Sequence, residues 1–350
     1  MSPEPSSHHK KIRALTLIVW IGAAALLLWV LRTVPLRESV AVLAKLRAWQ
    51  IAILLIGNAG IILLFAARWW IILRAQGCRV PYLPLTLYRL GAFGINYFTP
   101  GQQFGGEPLQ VYLIHRRHNI PLPAATASVA LEKLIEMVVN FAVVAAGVMV
   151  TLQNPVFAAK ASDYLLITLI ALLLFPLLVL AMLRSGRRPF SWLMARLPRR
   201  VTSTERGQHL RSGIGAAEND AADLIRRHPG AIVGAIIASL LSWVGMIGEV
   251  WLSMLFLGRA LTMPQLAAVI TASRIALLLP SPGGLGTLEA GQVWMFRMLG
   301  LDPAVGLSLA LITRFRDVLF AVAGLMWGTA LVSSIGGIKA ADLTDLQKES

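Results

Sequence analysis

Two glycine-rich, proline-stopped breaks, each ending in a glutamate, interrupt stretches apolar enough to lie in lipid. The first runs Asn96-Tyr-Phe-Thr-Pro-Gly-Gln-Gln-Phe-Gly-Gly-Glu107 and the second Pro280-Ser-Pro-Gly-Gly-Leu-Gly-Thr-Leu-Glu289. Non-helical backbone at membrane depth is tolerated where it is buried in protein or lines a watery cavity. The breaks therefore predict two helical hairpins folded around a polar interior. Their likeness extends downstream, since a charge follows each glutamate by the same interval, 107 to Glu132 and 289 to Arg314. A duplicated membrane unit is the simplest source of that echo.

Hydrophobic residues make up 57% of the 350 and charged residues 14%, which excludes a soluble globular domain. Uncharged runs at Ala14–Leu31, Ala48–Ala67, Met137–Ala159, Tyr164–Leu183, Gly230–Gly248 and Val318–Ile338 each approach the length of a membrane-crossing helix. The first follows Lys10, Lys11 and Arg13 without a small-residue cleavage pattern and reads as an uncleaved signal anchor. Shorter apolar pairs, Leu83–Phe98 with Gly101–Ile114 and Pro264–Leu279 with Gly283–Leu299, flank the breaks.

Counting spans gives an all-α polytopic membrane protein: an inverted-topology repeat with two Gly/Pro-broken re-entrant helical hairpins. A cytoplasmic N-terminus occupies 1–13 and a first membrane repeat 14–184, with its hairpin at 83–118. A basic cytoplasmic loop at 185–229 leads to the second repeat at 230–338, with its hairpin at 264–300, and a cytoplasmic tail fills 339–350. Three crossings separate the helices that precede the two hairpins, and an odd number inverts the copy. The net charge of +15 fits cytoplasmic loops rich in Lys and Arg rather than nucleic-acid binding. The segment 185–229 carries nine arginines against four acids. Its Phe190–Arg196 stretch suits either a solvated loop or an interfacial helix on anionic phospholipid headgroups. The Trp69-Trp70 pair between Arg68 and Arg74 reads as a membrane-surface cluster.

The expected site lies where the broken helix ends meet near the midplane. Gly105, Gly106, Gly283 and Gly284 allow backbone N–H groups to face a ligand, with Asn96 at the head of the first break. Arg274 and Arg314 are the candidate cations for an anionic headgroup, and Glu107, Glu132 and Glu289 the acids that tune it; an ion pair of Glu132 or Glu107 with Arg314 is the structural alternative. Cys78 stands alone, and His115-x-x-His118 sits among arginines at a boundary, so neither a metal site nor a cofactor is expected. No phosphate-binding Gly-x-x-x-x-Gly-Lys-Ser/Thr loop occurs, and no His-Glu-x-x-His or paired-aspartate arrangement, which favours a transporter over an enzyme.

Gly94-x-Asn96-x-x-x-Pro100-Gly101 running into Gly105-Gly106-Glu107, then Ala127-Ser-Val-Ala-Leu-Glu132-Lys133, Pro282-Gly-Gly-Leu-Gly-x-x-Glu289 and Leu311-x-x-Arg314 together resemble the lysylphosphatidylglycerol synthase transmembrane-region family. Lys133 departs from the arginine expected after the glutamate, and lysine is a point charge rather than a bidentate fork. The resemblance, over roughly residues 15 to 335, implies a flippase-like protein of a prokaryotic cytoplasmic membrane. Its partner would be a membrane lipid or lipid-linked intermediate such as a hopanoid or polyprenyl lipid, with self-association left open. No aminoacyl-transfer domain follows within the sequence, so synthesis of aminoacylated lipid is not expected. A small-solute secondary transporter and a lipid-modifying enzyme are the alternatives.

Overall fold

The structure, a computed structural model, describes residue 44 and residues 46–99, 105–153, 163–196, 205–279 and 281–346. The expected first span at 14–31 lies outside the described residues, as do Pro100, Gly101 and Pro280. Every regular element among them is helical: α1 (Ala48–Ala75), α2 (Tyr82–Phe98), α3 (Glu107–His118), α4 (Leu122–Thr151), α5 (Asp163–Arg184), α6 (Pro189–Ala195), α7 (Glu205–Arg227), α8 (Pro229–Phe256), α9 (Met263–Leu278), α10 (Thr287–Met298) and α11 (Pro303–Leu346), with a short 3-10 turn at Pro282–Gly284. Four of them, α1, α4, α8 and Ile167–Arg184 within α5, are long and apolar enough to cross a membrane.

Local chemistry sets the boundaries. Gln50 and Gln265 reach back to the backbone N–H groups of Arg47 (2.8 Å) and Thr262 (3.0 Å), closing the first turns of α1 and α9. Prolines in the first turn of α3, α4, α6, α8 and α9 cost nothing, because those N–H groups lack helical partners. At the first break, Asn96 Oδ1 accepts the Gly106 N–H at 2.6 Å while Glu107 Oε2 accepts that of Gly105 at 2.8 Å. At the second, Glu289 Oε2 accepts the Gly286 N–H at 2.9 Å. Each glutamate thus caps the start of its own helix, where the positive end of the helix dipole favours a carboxylate.

Packing is crosswise between the two parts of the chain. α1 lies on α8, α2 on α11, and α4 on α9; within each hairpin α2 meets α3 and α9 meets α10, while α3 packs on α4 and α10 on α11. The α2–α11 contact is backbone to backbone. A Cβ at Gly94 would stand 2.7 Å from the Ala321 carbonyl and 2.9 Å from the Leu325 nitrogen, and one at Gly324 would run into the Leu90 carbonyl. Small residues at such a seam supply close van der Waals contact, which in lipid must do the work that hydrophobic burial does in water.

The basic segment folds as two helices. Ala217, Ala221 and Leu224 of α7 pack against Leu131 and Leu134 of α4 and Val179 and Leu183 of α5. Glu218 of α7 caps α6, accepting the N–H groups of Phe190 (2.6 Å) and Ser191 (3.1 Å) and the Ser191 hydroxyl. α6 itself exposes Phe190, Trp192 and Leu193, and the Arg196 guanidinium lies 3.6 Å from the Trp192 ring centroid.

Candidate functional site

Side chains of α1–α4 and α8–α11 enclose one cavity of ≈ 250 Å³. Its charged lining comes from both parts of the chain: Arg89, Glu107, Glu132, Lys133 and Glu136 from the first, and Glu249, Arg274, Arg316 and Asp317 from the second.

On the first side the charges form a continuous chain. Glu132 accepts from Arg68 Nε at 2.7 Å, from Arg68 Nη2 and from Arg89 Nη1 at 2.6 Å. Glu136 accepts from the same two guanidiniums at 2.8 and 3.3 Å. Lys133 Nζ lies 3.3 Å from Glu107 Oε1 and 3.8 Å from Glu136 Oε2. The remaining Arg68 nitrogen donates to Ser239 Oγ of α8 at 3.1 Å, tying the chain across to the other half. Arg68 is 1% exposed and Glu132 2%, so each would be prohibitive alone and is tolerated because its partners satisfy it.

The second side is smaller. Arg316 bonds Glu249 through Nη1 and Asp317 Oδ1 through Nε (2.9 Å) and Nη2 (2.7 Å). Arg274, half-buried on the wall, donates to Met246 Sδ at 2.7 Å and lies 4.7 Å from the Trp243 ring centroid. None of the ion pairs formed among the described residues includes it. With Arg68, five bases face five acids in and behind the wall, so the cavity is balanced while Arg274 alone holds its charge on soft and aromatic partners.

Of the residues singled out from sequence, Asn96, Glu107, Glu132 and Arg274 line the cavity. Arg314, Glu289 and the four glycines stand outside its lining. Arg314 does not meet Glu132 or Glu107; it donates to Glu289 Oε1 through Nε (3.0 Å) and Nη2 (2.7 Å), to the Gly283 and Gly284 carbonyls, and to the Tyr97 hydroxyl at 3.0 Å. It thereby holds the second break in shape and pins it to α2. Gly283 (φ 57°) and Gly284 (φ 66°) take left-handed conformations there, and a Cβ on Gly283 would sit 2.9 Å from the Tyr97 ring.

Sequence reading missed Arg68, Arg89 and Glu249. Arg68 and Trp69 were expected at a membrane surface, yet both are buried, with the Trp69 Nε1 donating to Ser128 Oγ at 3.1 Å. α1 runs on to Ala75, which draws position 68 inward. Likewise the run at 230–248 stops at Glu249 only because a charge stands there; α8 continues to Phe256 through Trp251, Leu252 and Met254. Apolar residues beyond the charge were the available signal.

A second hollow, an open groove of ≈ 520 Å³ between α3 and α4, has walls of Pro108, Val111, Tyr112, Leu122, Val129 and Ala130. Glu107 and Lys133 belong to the walls of both this groove and the cavity.

Three relatives come from curated proteins of unassigned role. A UPF0104 membrane protein of Methanothermobacter thermautotrophicus is 25% identical over 264 residues, covering 73% of this chain and 77% of the relative. One from Pyrococcus horikoshii is 22% identical over 317 residues, 86% of this chain and 91% of the relative. A third, from Methanocaldococcus jannaschii, is 20% identical over 257 residues, 72% and 75% of the two chains. No solved structure matches. The profile of the family described as Lysylphosphatidylglycerol synthase TM region matches residues 14–324, spanning both breaks and every cavity-lining charge, and the chain belongs to that family.

Proposed function

We propose that this protein moves a lipid or lipid-linked intermediate across the prokaryotic cytoplasmic membrane, its phosphate-bearing headgroup passing through the cavity while its chain stays in an apolar setting. The observation that carries the reading is Arg274, a cation on the cavity wall that makes no carboxylate ion pair among the described residues. Every acid on the wall already has a base, so an entering phosphate finds its counter-charge at Arg274 with little disturbance of the rest.

The α3–α4 groove favours a lipid over a small solute. It is apolar, opens outward, and shares the Glu107–Lys133 wall with the cavity. A hydrocarbon chain there exchanges one apolar surface for another at little cost, leaving the headgroup as the part that needs protein.

An inverted-topology repeat with re-entrant hairpins is part of the same proposal. Support comes from the crosswise pairing, in which α2 on α11 corresponds to α9 on α4. Arg68 and Glu249 add to it, each standing 20 residues beyond the first residue of its helix (68 − 48 and 249 − 229) and each ion-paired to the helix that follows its hairpin. The charge is swapped between the copies while the position is kept. Arg187, Arg188 and Arg196 beside the exposed face of α6 suit anionic headgroups at a cytoplasmic surface, which supports a cytoplasmic N-terminus.

The test is mass spectrometry of lipids that co-purify with the wild type and with Arg274→Gln, measured against the bulk membrane extract. The expected result is enrichment of one phosphate-bearing lipid class, lost in the variant. Equal lipid content in both proteins and the bulk would remove the cavity as a headgroup site.

A further inference from the structure

Three buried side-chain oxygens accept no hydrogen bond among the described residues: the Oε1 atoms of Gln76, Gln110 and Gln292. Gln76 caps the far end of α1, where its amide nitrogen reaches the Ala124 carbonyl. The other two line the cavity. They also occupy the same place in the two half-helices that follow the breaks, because Gln110 stands three residues after Glu107 and Gln292 three after Glu289. One turn from each capping glutamate, each helix therefore places a glutamine on the cavity wall with its amide oxygen buried just behind it.

Burial makes this costly. Gln110 is 5% exposed and Gln292 3%, and a buried acceptor without a donor forfeits hydration that nothing returns. Gln292 is held in place, since its amide nitrogen donates to Ser273 Oγ and leaves Oε1 as the free end. A leucine of similar shape would fill either position without an orphaned oxygen. The paired orphans thus ask for donors brought in by a ligand, since a site whose buried groups are acceptors discriminates strongly against molecules with nothing to donate.

Resting on the reading of the cavity as a headgroup site, we propose that Gln110 and Gln292 select headgroups bearing O–H or N–H donors beyond the phosphate. Arg274 takes the phosphate oxygens, and the two amide oxygens accept from hydroxyl or ammonium groups attached to it. The site then separates polyol, sugar or primary-amine headgroups from those that are methylated or blocked.

Four lipids decide the matter: phosphatidylglycerol and phosphatidylethanolamine carry donors, whereas phosphatidylmethanol and phosphatidylcholine match them in charge and carry none. Binding of each to the purified full chain in detergent is read by native mass spectrometry. The expected result is preference for the donor-bearing member of each charge-matched pair, roughly 2- to 10-fold per glutamine engaged. Gln110→Leu and Gln292→Leu should each shrink that preference, and the double variant should abolish it, with melting temperatures held or raised. A purely structural role would lower the melting temperature and leave the ranking intact, which overturns the proposal. Equal binding within both pairs by the wild type, or no binding of any of the four, overturns it too. Arg274→Gln separates the two readings: weaker binding of all four lipids supports the headgroup site whatever the glutamines do, and unchanged binding removes that site while leaving any donor preference to be explained elsewhere.

Discussion

Glu132 holds the first side of the cavity together, because two guanidiniums on different helices converge on its carboxylate. Removing one partner of a buried pair leaves the others charged and unsatisfied, at a cost of about 3–5 kcal/mol. Glu132→Gln should therefore lower unfolding stability by about that amount in detergent or nanodiscs. Combined with Arg68→Gln it should show a coupling of roughly 0.5–3 kcal/mol in a double-mutant cycle. Zero coupling would mean that the network is slack. Asp220 on α7 offers a pH test outside the bundle. Burial, helped by Asp223, raises its carboxyl above the ordinary aspartate value. A raised folded-state value favours the protonated form, so its support is complete below the unfolded value of about 3.9 and is lost as pH rises through the folded one. At neutral pH Asp220 is thus a burden: Asp220→Asn should raise the melting temperature at pH 7 and make no gain near pH 4, read by scanning fluorimetry at both values.

The α2–α11 seam is the element on which the cavity depends, since α2 brings Arg89 and Asn96 to its wall and α11 brings Arg316 and Asp317. Gly94→Ala should cost about 1–3 kcal/mol, because the new Cβ meets backbone that can give only by moving a helix. Gly57→Ala in α1, where a Cβ meets nothing within 4 Å, should be neutral or stabilising by about 0.5–1 kcal/mol. Equal losses at both sites would contradict the packing. The helices themselves were partly plain in the sequence: the run at 164–183 matches α5 at both ends and the run at 230–248 matches the start of α8, whereas α4 begins at Leu122, well before the run at 137–159, because its first half carries Glu132, Lys133 and Glu136. So were the breaks, whose glycines and glutamates lie where helices end. What the sequence hid was pairing. Arg314 and Glu132 stand at equal intervals from their breaks and look like partners, but each finds its counter-charge nearer home, in Glu289 and in Arg68 with Arg89. Interval along a chain gives depth, whereas partner choice depends on which faces of crossing helices meet. Gln110 and Gln292 escaped notice because neutral amides leave no mark on hydropathy.

For the whole molecule, the proposed inversion places the turn after α3 and the turn after α8 on opposite sides of the membrane. In a Cys78→Ser background, a membrane-impermeant maleimide added to intact cells should label Ala260→Cys, while Arg116→Cys should react only after permeabilisation. Labelling of both from one side would overturn the inversion. The crosswise packing also sets a timetable. α2 emerges early, yet its glycine face is closed by α11, more than 200 residues later, where Arg117 reaches the Leu331 carbonyl and Tyr97 meets Arg314. Arg89 and Glu107 find Glu132, Glu136 and Lys133 on the next helix, α4, but the glycine face of α2 stays open until α11 arrives, a long interval of vulnerability to misassembly and proteolysis that contacts of such sequence separation impose. Closure of the seam on α2 thus depends on a helix translated more than 200 residues after it.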